Sequence, residues 1–407
     1  MEQLEMITAA ISAQFDQQVE FLQQLVHAKS NNPFTPETAP PDVPVEKEVV
    51  EVICQELDSL GYRADLQGIS SQRPNVLCSF PGSEQNGKTL VLTTHMDTVE
   101  PSQNYTRNPW GAQLKGGRLY GLGAADAKAQ IAAFIYAIDA VLKVGLRLSG
   151  NLILAFVVDE ETGACSPYGT RYLLKQGLLP ADAVIVGEPG DDKIAIGHRG
   201  LYRFRLETLG EATHVGLKAW EQGTRGHNAI LEMARIALAL SSCSLPQVPS
   251  SIFPGRKSIL TFPTLIQGGR NVNMVPDRCE ACGDVRLLPG LTVDEVKRHI
   301  RKHLRELAIT SYRLDDLAAV PAVKIAPSSE IVQALARAAQ TVTGRKPRLE
   351  GAGPACDGWM FITRGIPAVC GYGVACGGVH GADEWIDLES LRAVTQVYAQ
   401  TILTYLG

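Results

Sequence analysis

In the first half of the chain, apolar residues come in short unbroken runs, and amphipathic stretches separate the runs. "PNVLCSF" (74–80), "TLVLTTH" (89–95), "GNLILAFVVDE" (150–160) and "ADAVIVGEP" (181–189) are continuous rather than alternating. That pattern predicts strands covered on both faces. Between them, "DAKAQIAAFIYAIDAVLK" (126–143) reads as a helix ending near Gly145, and "YGTRYLLKQGLL" (168–179) as a second. An N-terminal helix comes first, followed by a loop with four prolines between residues 36 and 44 and a helix at about 45–60. Strands alternating with helices predict an α/β domain, its mixed and mostly parallel sheet sandwiched by helices.

From about residue 198 the texture changes. "LYRFRLETLG" (201–210) alternates as a half-exposed strand does, placing Tyr202, Phe204 and Leu206 on one face. "NAILEMARIALALSS" (228–242) and "TVDEVKRHIRKHLRELA" (292–308) are helical, and "SILTFPTLIQGG" (258–269) and "CEACGDVRLL" (279–288) are strands. Two strand–helix–strand units with one-sided alternation predict a small α+β sandwich. After about residue 315 the reading returns to buried strands and a closing helix, "SLRAVTQVYAQTILTYL" (390–406). The expected organisation is therefore a large domain formed by 1–197 and 315–407, interrupted by an inserted lid domain at 198–314.

Composition narrows the function classes. With 407 residues, 45% hydrophobic and 20% charged, the chain is ordinary globular protein long enough for two domains. Its net charge is −5, with no basic stripe, which argues against a nucleic-acid partner. No run approaches the roughly 18–20 apolar residues of a membrane span. The acidic, amphipathic N-terminal stretch and nine scattered cysteines suit reduced thiols, so the expected location is the cytoplasm. Cys279 and Cys282 have zinc-ribbon spacing without a second such pair. On a strand they face opposite sides of the sheet and read as ordinary thiols.

Candidate chemistry gathers where the strands end. Three runs finish in metal-competent residues: His95 and Asp97, then Asp159, Glu160 and Glu161, then Glu188. A fourth segment opens a helix on Asp126. One charged residue after a strand is ordinarily a loop meeting water. Four such sites in one α/β domain point to the crevice beyond the strand ends. Carboxylates gathered there repel, and a divalent cation makes the gathering stable. His95 and Asp97 are two apart, so in extended chain they point the same way, as in a carboxylate that orients a ligating imidazole. Glu160 and Glu161 are adjacent and cannot face one point. One suits ligation, while the other suits taking a proton from a water acidified by the ion. His380, in the Gly-rich "GGVHGADEWID", supplies a further imidazole.

These residues, in this order, resemble the M20-type family of metallopeptidases and deacylases, which includes acetylornithine deacetylases, succinyl-diaminopimelate desuccinylases, aminoacylases and glutamate carboxypeptidases. The motifs are His95-x-Asp97, "YGLGAADAKA" around Asp126, "DEETG" at 159–163, "GEP" at 187–189 and "VHGADE" at 379–384. The resemblance implies a two-zinc centre, with cobalt or manganese compatible with the same nitrogen and oxygen donors. In it His95 and Glu188 hold one ion, Glu161 and His380 the other, and Asp126 bridges. Glu160 is the implied general base and Asp97 the orienting carboxylate. A non-proline cis peptide is implied at Asp126–Ala127.

The resemblance also assigns residues in the inserted domain, which in such proteins commonly dimerises. His214 in "GEATHVG" and Asn273 in "GGRNVNMVPD" are implied at the substrate carbonyl, and Arg286 in "GDVRLLPG" at the substrate carboxylate. On its own an arginine on a strand is more often a solvated residue. His227, His27, His299 and His303 receive no role and read as exposed or cap residues. Two stretches depart from the family pattern: Ala127-Lys128-Ala129 after the bridging Asp, and "GAGPACDGW" (351–359), whose loop bears on side-chain specificity. The expected activity is hydrolysis of the amide bond of a small N-acyl amino acid by metal-activated water, in a homodimer. A dipeptidase or carboxypeptidase is the alternative. A catalytically silent metabolite binder is the rival from another class, disfavoured because Glu160 and all five donors are intact.

Overall fold

The computed structural model describes residues 2–33, 40–162 and 166–407, so Pro36 of the proline-rich loop and Gly163 of "DEETG" lie outside it. The chain divides into two compact units, one formed by Met1–His198 with Lys324–Gly407 and the other by Arg199–Val323.

The larger unit is built on a six-stranded sheet whose order is Asp65–Gln67, Asn75–Phe80, Asn151–Val157, Thr89–His95, Ala183–Gly187, Ala368–Tyr372. The last four strands are mutually parallel, and the first two join antiparallel at one edge. The unbroken apolar runs have their expected cause: Leu90, Val91, Leu92, Leu152, Leu154, Val184 and Ile185 are almost wholly shielded from solvent. Helices Ala129–Lys143 and Leu388–Leu406 pack on each other and on the central strands. The N-terminal helix is broken at Gln14 into Glu2–Ala13 and Phe15–His27.

The smaller unit is a four-stranded antiparallel sheet, ordered Ile259–Gly268, Arg278–Leu287, Gly200–Leu209, Tyr312–Val320. Helices Ala229–Ser241 and Val293–Glu306 close one face of it. Tyr202, Phe204 and Leu206 share the buried face, packed with Met233, Ile236, Ile300 and Leu304. Asn228 caps the first helix, its side chain accepting from the Ile230 and Leu231 amides, and Thr292 with Glu295 forms a capping box on the second.

One boundary differs from the sequence reading, which ended the insert at 314. Strand Tyr312–Val320 pairs along Gly200–Leu209, so it belongs to the smaller unit. Its segment "YRLDDLAAV" is half-exposed rather than a buried run, as expected of an outer strand of this sheet. Cys279 is buried and Cys282 half-buried, on opposite sides of their strand. Among the described residues no helix is long and apolar enough to cross a membrane.

Candidate metal centre

The register of the parallel strands levels their ends. His95 lies beside Val157, and Thr93 beside Val186, so the segments carrying Asp97, Glu160, Glu161 and Glu188 leave the sheet at the same edge. Asp126 arrives separately. Gly123 turns the chain with φ 74°, Asp126 and Ala127 take non-helical dihedrals joined by a cis peptide, and the regular helix starts only at Ala129. The buried carboxylate of Glu384 holds this segment, accepting from the amides of Gly123 (3.1 Å), Ala125 (2.7 Å) and Asp126 (3.1 Å).

Two sets of ligand atoms result, and they share Asp126. His95, Asp126 and Glu188 form one set, and Asp126, Glu161 and His380 the other, with the atoms of each set within 4.8 Å of one another. His95 Nε2 lies 3.0 Å from Asp126 Oδ1, and His380 Nε2 lies 3.2 Å from both Asp126 Oδ2 and Glu161 Oε1. Both sets are carboxylate and imidazole only, a donor chemistry that fits zinc, cobalt or manganese.

The electrostatics agree with that fit. Burial raises the Glu160 and Glu188 carboxyls well above their ordinary range, and the neighbouring carboxylates push in the same direction. Burial disfavours a charged His95, yet the Asp126 and Asp97 carboxylates outweigh it and hold the imidazole well above its ordinary value. Hydrogen bonds to Asp126 and Glu161 hold His380 up at about 11. Burial also works against ionisation of Asp126, but its contacts with His380 and His95 prevail and keep it an anion. A crevice in which anions crowd and raise one another is one that cations stabilise.

Asp97 has wider duties than its spacing suggested. His95 Nδ1 meets the backbone carbonyl of Asp97 at 2.9 Å, with the carboxylate Oδ1 at 3.5 Å. The same carboxylate accepts the amides of Glu160 and Glu161, each at 3.1 Å, and Asn32 Nδ2 at 3.0 Å. It thereby fixes the turn presenting both glutamates. Glu160 is 9% exposed, and its Oε1 has no hydrogen-bond partner among the described residues.

Three supporting residues, Asn32, Arg73 and Glu46, carry no usable sequence signal, and they act together with residues that do. Asn32, in the loop before the prolines, also reaches Asp159 Oδ1 at 3.2 Å. Arg73 is fully buried, with Nε 2.8 Å from Glu46 Oε2 and Nη2 3.3 Å from Asp159 Oδ1, and Asp159 sits at φ 67°. Lys128 is buried and donates to the Ala28 carbonyl at 2.8 Å, and burial lowers it to about 7. Ala127 and Ala129 beside it are fully enclosed. In the divergent loop Asp357 is buried, raised to about 6 chiefly by burial, and near enough to disfavour ionisation of Glu160 and Glu188.

The other expected residues belong to the smaller unit. His214 Nε2 and Asn273 Nδ2 are 3.2 Å apart, and Arg286 Nε is bonded to Asp284 Oδ1 at 2.7 Å. Arg286 has cationic company, because the charges of Arg256 and Arg286 add to burial in lowering Arg199. His227 forms a backbone bridge with Glu211 just before the Asn228 cap. His27 is exposed and bonded to the Trp110 carbonyl at 2.7 Å. His299 and His303 are not on an exposed face: both are half-buried beside Cys243.

Comparison with known proteins agrees with this picture. Residues 91–404 match the model of peptidase family M20/M25/M40. The chain is 29% identical over 389 residues to a succinyl-diaminopimelate desuccinylase of Gluconacetobacter diazotrophicus, covering 91% of this chain and 94% of that one. Among solved structures, aminopeptidase PepT of Bacillus cereus superposes with a TM-score of 0.73 at 20% identity, over 96% of this chain and 98% of that one. The YXEP protein of Bacillus subtilis, described as a dinuclear metal binding peptidase, gives a TM-score of 0.70 at 17% identity over 97% and 99%. The chain belongs to peptidase family M20/M25/M40. It is a metal-dependent hydrolase of amide bonds, and its fold is the mixed α/β catalytic domain with a smaller inserted domain.

Proposed function

We propose that this hydrolase removes the acyl group from a small N-acyl amino acid, using two divalent ions, most simply zinc. The observation that carries the reading is the pair of donor sets sharing Asp126, with a buried, unpartnered Glu160 oxygen beside them. His95 and Glu188 would hold one ion, Glu161 and His380 the other, and Asp126 both. When bound, the ions supply acidification of a water and polarisation of the amide carbonyl.

The remaining steps fall to the chain. Glu160 takes the proton of the attacking water and returns it to the leaving amine. Its buried, anion-crowded setting keeps the carboxyl basic enough for the first transfer and acidic enough, once protonated, for the second. Asp97 keeps Glu160 and Glu161 in place through their amides and orients His95. His214 and Asn273, held as a pair, are assigned to the substrate carbonyl. Arg286, in its arginine-rich surroundings, is assigned to the substrate carboxylate by paired hydrogen bonds.

The deacylase reading is preferred to a dipeptidase or carboxypeptidase because a relative matched over nearly its full length is a desuccinylase, whereas the likeness to peptidases is one of fold. Retention of Glu160 and every donor supports turnover over silent binding. A homodimer formed through the smaller unit is supported by its exposed edge strand, where Leu265 is 71% exposed, and by Leu238 on the adjoining helix at 74%. A cytoplasmic location is supported by the cysteines, free thiols throughout the described residues.

Amine release from N-succinyl, N-acetyl and N-formyl amino acids and from dipeptides tests the reading, in chelated and zinc-reloaded protein with Glu160→Ala as the blank. Turnover of an N-acyl amino acid that needs metal and vanishes in the blank is expected. Cleavage of dipeptides alone selects the peptidase, and no turnover in metal-loaded protein overturns both.

A further inference from the structure

The smaller unit contains a second kind of ligand cluster, remote in chemistry from the carboxylate crevice. Helix Ala229–Ser241 ends at Ser242, and the next residue, Cys243, turns its side chain back onto helix Val293–Glu306. There His299 Nε2 lies 3.1 Å from Cys243 Sγ. His303 follows four residues later, so it shares the helix face with His299, and the two rings are 4.7 Å apart by centroid. One ligand atom from each residue falls within 4.8 Å of the others.

We propose that Cys243, His299 and His303 form a binding site for a zinc-class divalent cation, clipping the loop after one helix to the flank of the other. This site is independent of the hydrolytic centre proposed above.

Three features favour a metal over a thiol that merely hydrogen-bonds an imidazole. The first is the donor set: one sulfur and two imidazole nitrogens from a helical H-x3-H pair suit zinc, with solvent completing a tetrahedron. The second is orientation. His303 Nδ1 is bonded to the His299 carbonyl at 3.0 Å, and with its proton there the ring keeps an Nε2 lone pair for a ligand. His299 has a backbone bond with Ser244 while its Nε2 faces the sulfur. The third is access. All three side chains are half-buried at the rim of the unit's apolar core, where Cys243 also packs, so the site is shielded yet open to an ion from solvent.

Burial works against protonation of His299, and the neutral imidazole is the ligating form. Burial raises the Cys243 thiol and works against the thiolate, so a binding ion has to displace one proton from sulfur to solvent as the metal–thiolate bond forms.

Cobalt distinguishes this site from the hydrolytic centre, whose donors include no sulfur. The full-length protein, freed of metal by chelation, is titrated with Co2+ and followed for a sulfur-to-cobalt charge-transfer band in the near ultraviolet. The wild type is expected to develop the band. Cys243→Ser should abolish it, and His303→Ala should weaken cobalt binding roughly 10-fold or more. Cys243→Ser should bind one ion fewer per chain, and both variants should retain the wild-type rate of amide hydrolysis, which also shows that they fold. Absence of the band in wild type overturns the proposal. So does a band that survives in Cys243→Ser, because the sulfur then comes from elsewhere, such as the buried group of His198, Cys356 and Cys370 in the larger unit.

Discussion

The two units treat charge in opposite ways. In the larger unit ionisable groups are taken into the interior: Asp97, Asp159 and Arg73 have essentially no exposed surface, and Glu160 and His95 little. Each is held by hydrogen bonds at the end of an apolar strand. In the smaller unit several charges pair on the sheet face away from the helices. Arg203 pairs with Asp284 at 3.2 Å and Arg205 with Glu280 at 3.1 Å, all partly open to solvent. Removing charges from water costs several kcal/mol per ion, whereas exposed pairs are worth about 0–1 kcal/mol. A protein accepts the first arrangement where it needs reactive groups in fixed positions, and the second wherever a sheet meets solvent.

Three substitutions probe that contrast. The largest effect is expected at Asp126, the only residue in both donor sets. Asp126→Ala should lower metal content measured by elemental analysis and reduce amide hydrolysis to roughly 1% or less, since even residues behind metal ligands are worth 10–100-fold. Normal metal content in that variant would break the shared-ligand reading.

A smaller but substantial loss is expected away from the chemistry. Arg73→Met leaves Glu46 and Asp159 buried without their cation, which should lower the free energy of urea unfolding by about 3 kcal/mol. Burial already raises Glu46 and Asp159 to about 7 against the pull of Arg73. An unchanged unfolding midpoint would show that these carboxyls are neutral in the fold and that Arg73 is not their counter-charge.

The smallest effect belongs to the smaller unit. Burial works against ionisation of Asp316, but contacts with Lys297 and the Tyr202 hydroxyl (2.8 Å) outweigh it and hold its pKa below the ordinary 3.8. A depressed carboxyl contributes stability above its unfolded value and loses it as pH falls through the folded one. Asp316→Asn should therefore cost at most about 1 kcal/mol at pH 7, and the difference from wild type should shrink as the medium is acidified below 3.8. A difference that does not change with pH would assign the effect to packing instead of charge.

Much of the candidate metal centre is legible because its signals are local. An apolar run that stops on His95 and Asp97, or on Asp159, Glu160 and Glu161, shows the end of a buried strand and the chemistry waiting there. The boundary at 314 falls inside the strand Tyr312–Val320 for the complementary reason. Half-exposed alternation says that a segment is a strand, but only pairing with Gly200–Leu209 says whose.

What the chain determined by itself were periodicities and the residue types at the ends of elements, since both arise from neighbours a few positions apart. Tertiary structure decided everything that depends on segments distant in sequence meeting. Glu384 gathers the amides that set Asp126, and Asn32 joins Asp97 to Asp159. Arg73 lies between Glu46 and Asp159, and Cys243 reaches a histidine 56 residues away. No period or motif encodes such meetings. They follow from strand order and helix packing, which the folded chain settles through the collective burial of its apolar faces.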